Sequence, residues 1–236
     1  LEMLGKGGTS QVFRVLSPES EILALKQVRL DTEADGDGQL LQAVQNEIEL
    51  MQSFKSKGLT KYIINLVDAE VKLREQIVYM VMECGEIDLA GMLRRHRQEA
   101  LDQCKDGDAA NDNFVCMYWE QMLRAVHAIH EARVIHGDLK PANFLCVRGA
   151  LKLIDFGIAK TMTNPDNTKI ARENTMGTVN YMSPEAIYGD EESGHRQGRA
   201  SDVWSLGCIL YQMIHGATPF SHLKNIIQKM QAITNE

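Results

Sequence analysis

The stretch HGDLKPANFLCVRGALKLIDFG, residues 136–157, decides how this chain is read. Its front half places Asp138, Lys140 and Asn143 in a tight turn. A short apolar run at residues 144–147 follows, then a reversal at Arg148-Gly149, then a second apolar run at 151–154 that ends in Asp155-Phe156-Gly157. Two strands joined by a tight turn bring their outer ends together. Asn143 and Asp155 are therefore expected to face each other at the open end of a hairpin, with Asp138 and Lys140 alongside. Two oxygen ligands, a carboxylate base and an ammonium at one point suit a hydroxyl attacking a magnesium-bound phosphate.

A lone Asp-Phe-Gly is most often only a turn. Here it stands twelve residues after Asn143, which itself lies five residues after Asp138, and a multi-part pattern of this kind is far more specific than any of its pieces. The combination resembles the H-R-D-x-x-x-x-N and D-F-G motifs of the protein kinases, with Gly137 where that family carries arginine. The resemblance implies an α+β, bilobal kinase-like fold: a small antiparallel-sheet N-lobe and a larger helical C-lobe. It implies Asp138 as the base that orients a substrate hydroxyl, Lys140 offsetting charge on the γ-phosphate, and Asn143 and Asp155 as ligands of magnesium (Mg2+).

The bulk numbers are compatible. The chain has 236 residues, 44% hydrophobic and 24% charged, ordinary for a globular protein of one large domain or two small lobes. A net charge of −7 argues against a nucleic-acid or membrane-surface binder. No run reaches membrane-spanning length. Five scattered cysteines (Cys84, Cys104, Cys116, Cys146, Cys208) show no metal-ligand spacing. They are expected to be reduced and mostly buried, in a cytoplasmic or nuclear setting.

Along the chain, apolar alternation predicts strands at residues 12–16, 22–30, 63–71 and 76–84. Leu41, Val44, Ile48 and Met51 recur at helical spacing, as do Val115, Tyr118, Met122, Val126 and Ile129. Residues 204–214 read as a helix apolar on most sides and hence buried. Three polar stretches, 31–39, 102–113 and 189–200, are expected to be surface loops. The division that follows is an N-lobe at 1–84, a hinge at 85–88 and a partial C-lobe at 89–236.

LGKGGTSQV, residues 4–12, resembles the kinase glycine-rich loop, with Ser10 at its third glycine position. Gly5 and Gly7 would let backbone N–H groups approach phosphate oxygens. Strand alternation puts Ala24 and Lys26 on one face. A small Ala24 leaves room for a flat base, and Lys26 reaches toward α and β phosphates. By the resemblance, Glu47 on the following helix pairs with Lys26. Leu4, Val12 and Ala24 would roof the adenine of ATP with Leu145 beneath it. Met82, Glu83, Cys84 and Gly85 would form the hinge, Met82 being the gatekeeper and the backbone bonding the adenine edge.

Further along, Lys140 and Thr178 resemble the serine/threonine rather than the tyrosine kinases. Ser183-Pro184-Glu185 matches the A-P-E position, and the helix from Asp202 matches the one that anchors the catalytic loop. Glu185 pairs, in the family, with an arginine far downstream. The chain is expected to be cut at its start and to stop before the late C-lobe, leaving that carboxylate without its partner. Thr161, Thr163, Thr168, Thr175 and Thr178 make autophosphorylation, and self-association for it, an expectation.

The phrases YMVMECGEIDL, HGDLKPANFL, LKLIDFGIAK, GTVNYMSPEAI and SDVWSLGCILYQM resemble the monopolar spindle (TTK-type) kinases, dual-specificity enzymes of the mitotic spindle checkpoint. That implies protein substrates phosphorylated on serine or threonine, with tyrosine left open, and a place at kinetochore and spindle. Two alternatives stay open: a pseudokinase or scaffold that binds nucleotide without transfer, and another serine/threonine kinase family.

Overall fold

Seven cross-strand pairs between residues 10–16 and 22–28 set the first hairpin, and the alternation of apolar side chains along it fixes which face meets the core. The structure, a computed structural model, describes residues 2–30, 38–102, 112–156, 160–161, 178–188 and 198–235. The chain divides into two compact units: residues 1–86 with 145–157, and residues 87–144 with 158–236. The sequence expectation set the division at 85–88; here 145–157 also return to the first unit.

The first unit is built on a five-stranded antiparallel sheet: β1 (Glu2–Lys6), β2 (Ser10–Leu16), β3 (Ile22–Arg29), β4 (Leu66–Lys72) and β5 (Ile77–Glu83), in the order β1-β2-β3-β5-β4. Helix α1 (Gln39–Ser56) buries Val44, Glu47, Ile48, Met51 and Phe54, the three-and-four spacing of one helical face. A hairpin, β6 (Phe144–Val147, of which Phe144 closes the second unit) and β7 (Ala150–Leu153), completes it. Arg148 (φ 51) and Gly149 (φ 79) both take left-handed conformations, as a two-residue turn matched to strand twist requires.

The expected strands shift by one to three residues at their ends, most at the start of β4, and β1 is not among those expected. Residues 63–65 are not part of β4. Ile63 instead bridges Leu153 in parallel, and Ile64 N–H donates to Leu153 O at 3.0 Å, so this segment spends its backbone on β7 rather than on the sheet.

The second unit holds α2 (Leu89–Asp102), α3 (Asp112–Glu131), α4 (Pro184–Tyr188), α5 (Arg199–His215) and α6 (Ile226–Thr234). The carboxylate of Asp88 starts α2 by accepting Gly91 N–H at 2.6 Å. On α3 the predicted stripe is deeply buried at Met122, Val126 and Ile129. No helix among the described residues is long and apolar enough to cross a membrane.

Three expectations are corrected. Helix α5 is not buried all round: Asp202, Ser205 and Ile209 mark its inner face, while Val203, Tyr211 and Ile214 are exposed on the other. Polar residues inside and apolar ones outside defeat a judgement made on hydropathy alone. The loop expected to end at Ala200 ends earlier, because Arg199 and Ala200 open α5. Likewise Gln39 opens α1, Asp102 closes α2, and Asp112 and Asn113 open α3; the remainder of those three loops lies outside the described residues. Among the described cysteines only Cys208 is buried; Cys116 is exposed and Cys84 and Cys146 are half-buried, while Cys104 lies outside the described residues.

Candidate active site

In the first unit, register builds one face of the sheet. Val12 lies opposite Lys26, Lys26 opposite Met80, and Ala24 opposite Met82. Directly paired residues point to the same side, so Val12, Ala24, Lys26 and Met82 share a face. Lys26 Nζ lies 2.9 Å from Glu47 Oε1 and 3.2 Å from Oε2. Burial alone would lower the Lys26 pKa, but the carboxylate of Glu47, and after it that of Asp155, outweigh burial and hold the ammonium above its ordinary value. The helix thus delivers Glu47 from its buried stripe straight to the strand lysine.

Asp155 follows β7 in a left-handed conformation, φ 64, and is exposed. A non-glycine residue held there stores strain of about 1–3 kcal/mol, a signature of functional positions. Its neighbour Phe156 is buried, with its ring 5.1 Å from that of Phe54 on α1. One residue of the triplet is therefore locked into the core while the carboxylate is turned out of it.

Leu4 is exposed, and Val12 and Leu145 are half-buried. Between β1 and β2 the chain reverses through Gly7, whose N–H donates to Ser10 O at 2.8 Å. A Cβ at Gly5 would meet no atom within 4 Å. After β5 the chain leaves through Cys84 and Gly85, and the absence of a side chain at 85 is obligatory. A Cβ there would lie 2.4 Å from Leu145 Cγ and 2.7 Å from Cys146 O. Glu86 N–H donates to Cys146 O at 2.8 Å and its carboxylate accepts Arg148 N–H at 2.9 Å. The Glu83 side chain is engaged by Lys152 and by Asn65 N–H, leaving only backbone at 83 for a ligand.

In the second unit, Lys140 Nζ lies 2.7 Å from Asp138 Oδ2. Asp138 N–H donates to His136 Nδ1 at 3.3 Å, and His136 is buried. A 3₁₀ turn, Pro141–Asn143, follows. Asn143 is only 2% exposed, and its Oδ1 has no hydrogen-bond partner among the described residues. An acceptor oxygen left unmatched at such depth costs about 1–3 kcal/mol, and it is the atom type that a hard cation takes. Asn143 therefore fits a divalent-metal ligand on the structure's own terms, and Asp155 supplies a carboxylate of the same kind.

The loop is held from below by Asp202, 1% exposed. Its Oδ1 accepts Gly137 N–H at 2.8 Å, and its Oδ2 accepts His136 N–H at 3.0 Å and contacts His130 Nε2 at 2.7 Å. Gly137, the departure from H-R-D, sits at φ 78, where glycine is free of the strain a side chain brings. Ser205 Oγ donates to Tyr181 O at 2.7 Å, and Tyr181 O–H donates to Gln212 at 2.6 Å. Glu185 accepts a hydrogen bond from Ser201 Oγ at 2.5 Å, a contact that the sequence did not foreshadow. The side chain of Thr178, and Thr163, Thr168 and Thr175 altogether, lie outside the described residues, as does the side chain of Thr161.

Lys26, Glu47 and Asp155 thus belong to one unit, and Asp138, Lys140 and Asn143 to the other. Two contributors escaped the sequence. His130 sits on an apolar helical stripe, where an isolated histidine reads as core. Lys152 alternates with buried Leu151 and Leu153 and reads as a solvated strand lysine.

A protein kinase domain model matches residues 1–236. The chain belongs to the protein kinase family. It is 47% identical over 239 residues to the probable serine/threonine-protein kinase mps1 of Dictyostelium discoideum, covering 100% of this chain and 23% of that protein. It is 46% identical to the serine/threonine-protein kinase mph1 of Schizosaccharomyces pombe (100% and 33%) and 44% identical to the dual specificity protein kinase TTK of Mus musculus (100% and 26%). These are the monopolar spindle kinases that its motif phrases resemble. The chain spans about a quarter to a third of the length of these curated relatives.

Proposed function

We propose that the chain is the catalytic part of an ATP-dependent protein kinase that transfers the γ-phosphoryl group to serine and threonine hydroxyls of protein substrates, with tyrosine left open. The observation that carries this is Lys26 clasped by Glu47 with Asp155 in its field: a fixed cation beside a carboxylate turned out of the core. Lys26 would hold α and β phosphates. Leu4, Val12, Ala24 and Leu145 would enclose the adenine, and the backbone at residues 83–85 would bond its edge behind Met82. The glycine loop, open above Gly5, would admit phosphate oxygens to its backbone N–H groups.

Asp138 would accept the proton of the attacking hydroxyl, and Lys140, already 2.7 Å from it, would balance charge on the transferred group. Asn143 and Asp155 would hold Mg2+, which supplies neutralisation of phosphate charge when bound. Catalysis of this kind is mainly positioning and electrostatics, and the buried Asp202 braces the loop that does the positioning. The convergence of Lys26 and Asp155 with Asp138 and Asn143 around one triphosphate is part of the proposal.

By the family that its motif phrases resemble, the proposed setting is the mitotic spindle checkpoint, in cytoplasm and nucleus and at the kinetochore, with self-association promoting autophosphorylation. The test is transfer of labelled phosphate from ATP to a generic basic protein. Asp138→Asn is expected to lower turnover by about 10²–10⁴-fold with ATP affinity little changed. Undiminished transfer in that variant would remove Asp138 from the role.

A further inference from the structure

The end of β5 is held by a side chain with no part in the nucleotide scheme above. Lys152 Nζ, on β7, lies 2.6 Å from Glu83 Oε1 and 2.8 Å from Oε2, and the two side chains are 14% and 22% exposed. Glu83 Oε1 also accepts Asn65 N–H at 2.7 Å, while Glu83 N–H donates to Asn65 O at 3.1 Å. The same short segment is stitched to β7, since Leu153 N–H donates to Tyr62 O at 2.9 Å and Ile64 N–H to Leu153 O at 3.0 Å. A closed circuit results, from β7 to residues 62–65, on to Glu83, and back to Lys152. Every link lies in the first unit.

The circuit meets the chain at two sensitive points. Glu83 immediately precedes Cys84-Gly85, and Lys152 stands three residues before Asp155. Mostly shielded from water, the pair is a two-point, charge-assisted contact, stronger than an exposed one. Removing the lysine would leave Glu83 half-buried with one backbone donor, and an unpaired carboxylate in that setting turns toward solvent. It would then pull away from Asn65 and loosen the end of β5.

We infer that Lys152 is a positioning residue for nucleotide recognition: through Glu83 it fixes the backbone at residues 83–85 that reads the adenine edge. This rests on the ATP reading above. Lys152 touches no reacting group, so its loss acts on the binding of the base and spares the groups that handle phosphate.

The test uses the full chain and measures KM for ATP, kcat, and direct binding of ATP and of inorganic triphosphate. Lys152→Met is expected to raise KM for ATP about tenfold with kcat within about threefold, the split of lost ground-state binding. Its affinity for inorganic triphosphate stays at the parent value, and Lys152→Arg stays close to the parent in every measurement. Glu83→Ala removes the acceptor of both Lys152 and Asn65 N–H and so loosens the end of β5 by the same route; it reports the same KM shift should Lys152→Met fail to fold. An unchanged KM for ATP in Glu83→Ala, or equal weakening of ATP and triphosphate in Lys152→Met, overturns the inference. A parent chain that binds no ATP overturns the nucleotide reading itself; a parent that binds ATP, with both variants matching it, overturns this inference alone.

Discussion

Gly137 donates its N–H to Asp202 at 2.8 Å while holding φ at 78, so the residue that departs from the family motif is bound by backbone to the helix beneath the catalytic loop. A β-carbon in the left-handed region costs roughly 1–2 kcal/mol. Gly137→Ala is expected to lose about that much unfolding free energy by urea titration, and Gly137→Asn less, since asparagine tolerates the conformation better. Equal stability of Gly137→Ala and the parent would show that the loop re-forms without the left-handed residue.

Asp202 collects two backbone donors and His130 on one buried carboxylate. Asp202→Asn keeps one acceptor oxygen but turns an amide NH₂ toward groups that donate. The expected loss is about 1–3 kcal/mol of stability, the cost of leaving a buried donor unmatched, with kcat falling more than KM for ATP rises. His130→Ala should cost less, and the double variant should cost less than the sum, because both act through one network. Strict additivity in that cycle would separate the two residues.

Alkaline stability follows from the raised pKa of Lys26, whose burial is outweighed by Glu47 and Asp155. The folded chain holds this proton more tightly than the unfolded one. The stabilisation is therefore complete below the unfolded value of about 10.4 and is lost as pH rises through the folded value. Burial pushes the thiol of Cys208 from 9.0 up to about 11, which acts with the same sign from a lower pH. Unfolding free energy measured against pH should begin to fall near about 9 and steepen above the lysine value. Burial raises the Cys146 thiol as well, so Cys208→Ala should remove part of the first limb and Lys26→Met part of the second.

Much of this was legible from residue order. The Arg148-Gly149 reversal between two apolar runs predicts a hairpin, and both residues take the positive φ that such a turn demands. The spacing of Val44, Ile48 and Met51 gives the face of α1, and the resemblance to the kinases implies the pairing of Glu47 with Lys26 that is observed. What stayed hidden has one physical cause: pattern records which way a side chain points, not what it meets. Nothing in sequence shows that Lys152 meets Glu83, or that His130 meets Asp202 across more than seventy residues. Helix α5 misled for the opposite reason, since its polar Asp202 and Ser205 point inward to satisfy backbone groups while Val203 and Tyr211 face out.

Gly85 is a steric requirement rather than a conformational one. Its φ is ordinary, yet a methyl group would fall 2.4 Å from Leu145 Cγ. Gly85→Ala is expected to destabilise by about 1–3 kcal/mol, the usual range for overpacking, and to weaken ATP binding because Leu145 is displaced. Leu145→Ala relieves the contact with the leucine but not the 2.7 Å approach to Cys146 O, so the double variant should recover part of the stability and none of the affinity. Recovery of both would place Leu145 outside the nucleotide pocket.

Asn143 offers the sharpest separation of stability from function. Its Oδ1 is buried and has no partner among the described residues, so the described fold gains nothing from that oxygen. Asn143→Leu, close in size, is expected to leave thermal stability unchanged or raised by up to about 1 kcal/mol equivalent. Phosphate transfer should nonetheless collapse, because the oxygen assigned to the metal is gone. The decisive measurement is the melting temperature with ATP, with and without Mg2+: the parent should gain stability from the metal and the variant should not. Marked destabilisation of the ligand-free variant would mean that the Asn143 amide serves the fold, and that its oxygen is not held in reserve for a cation.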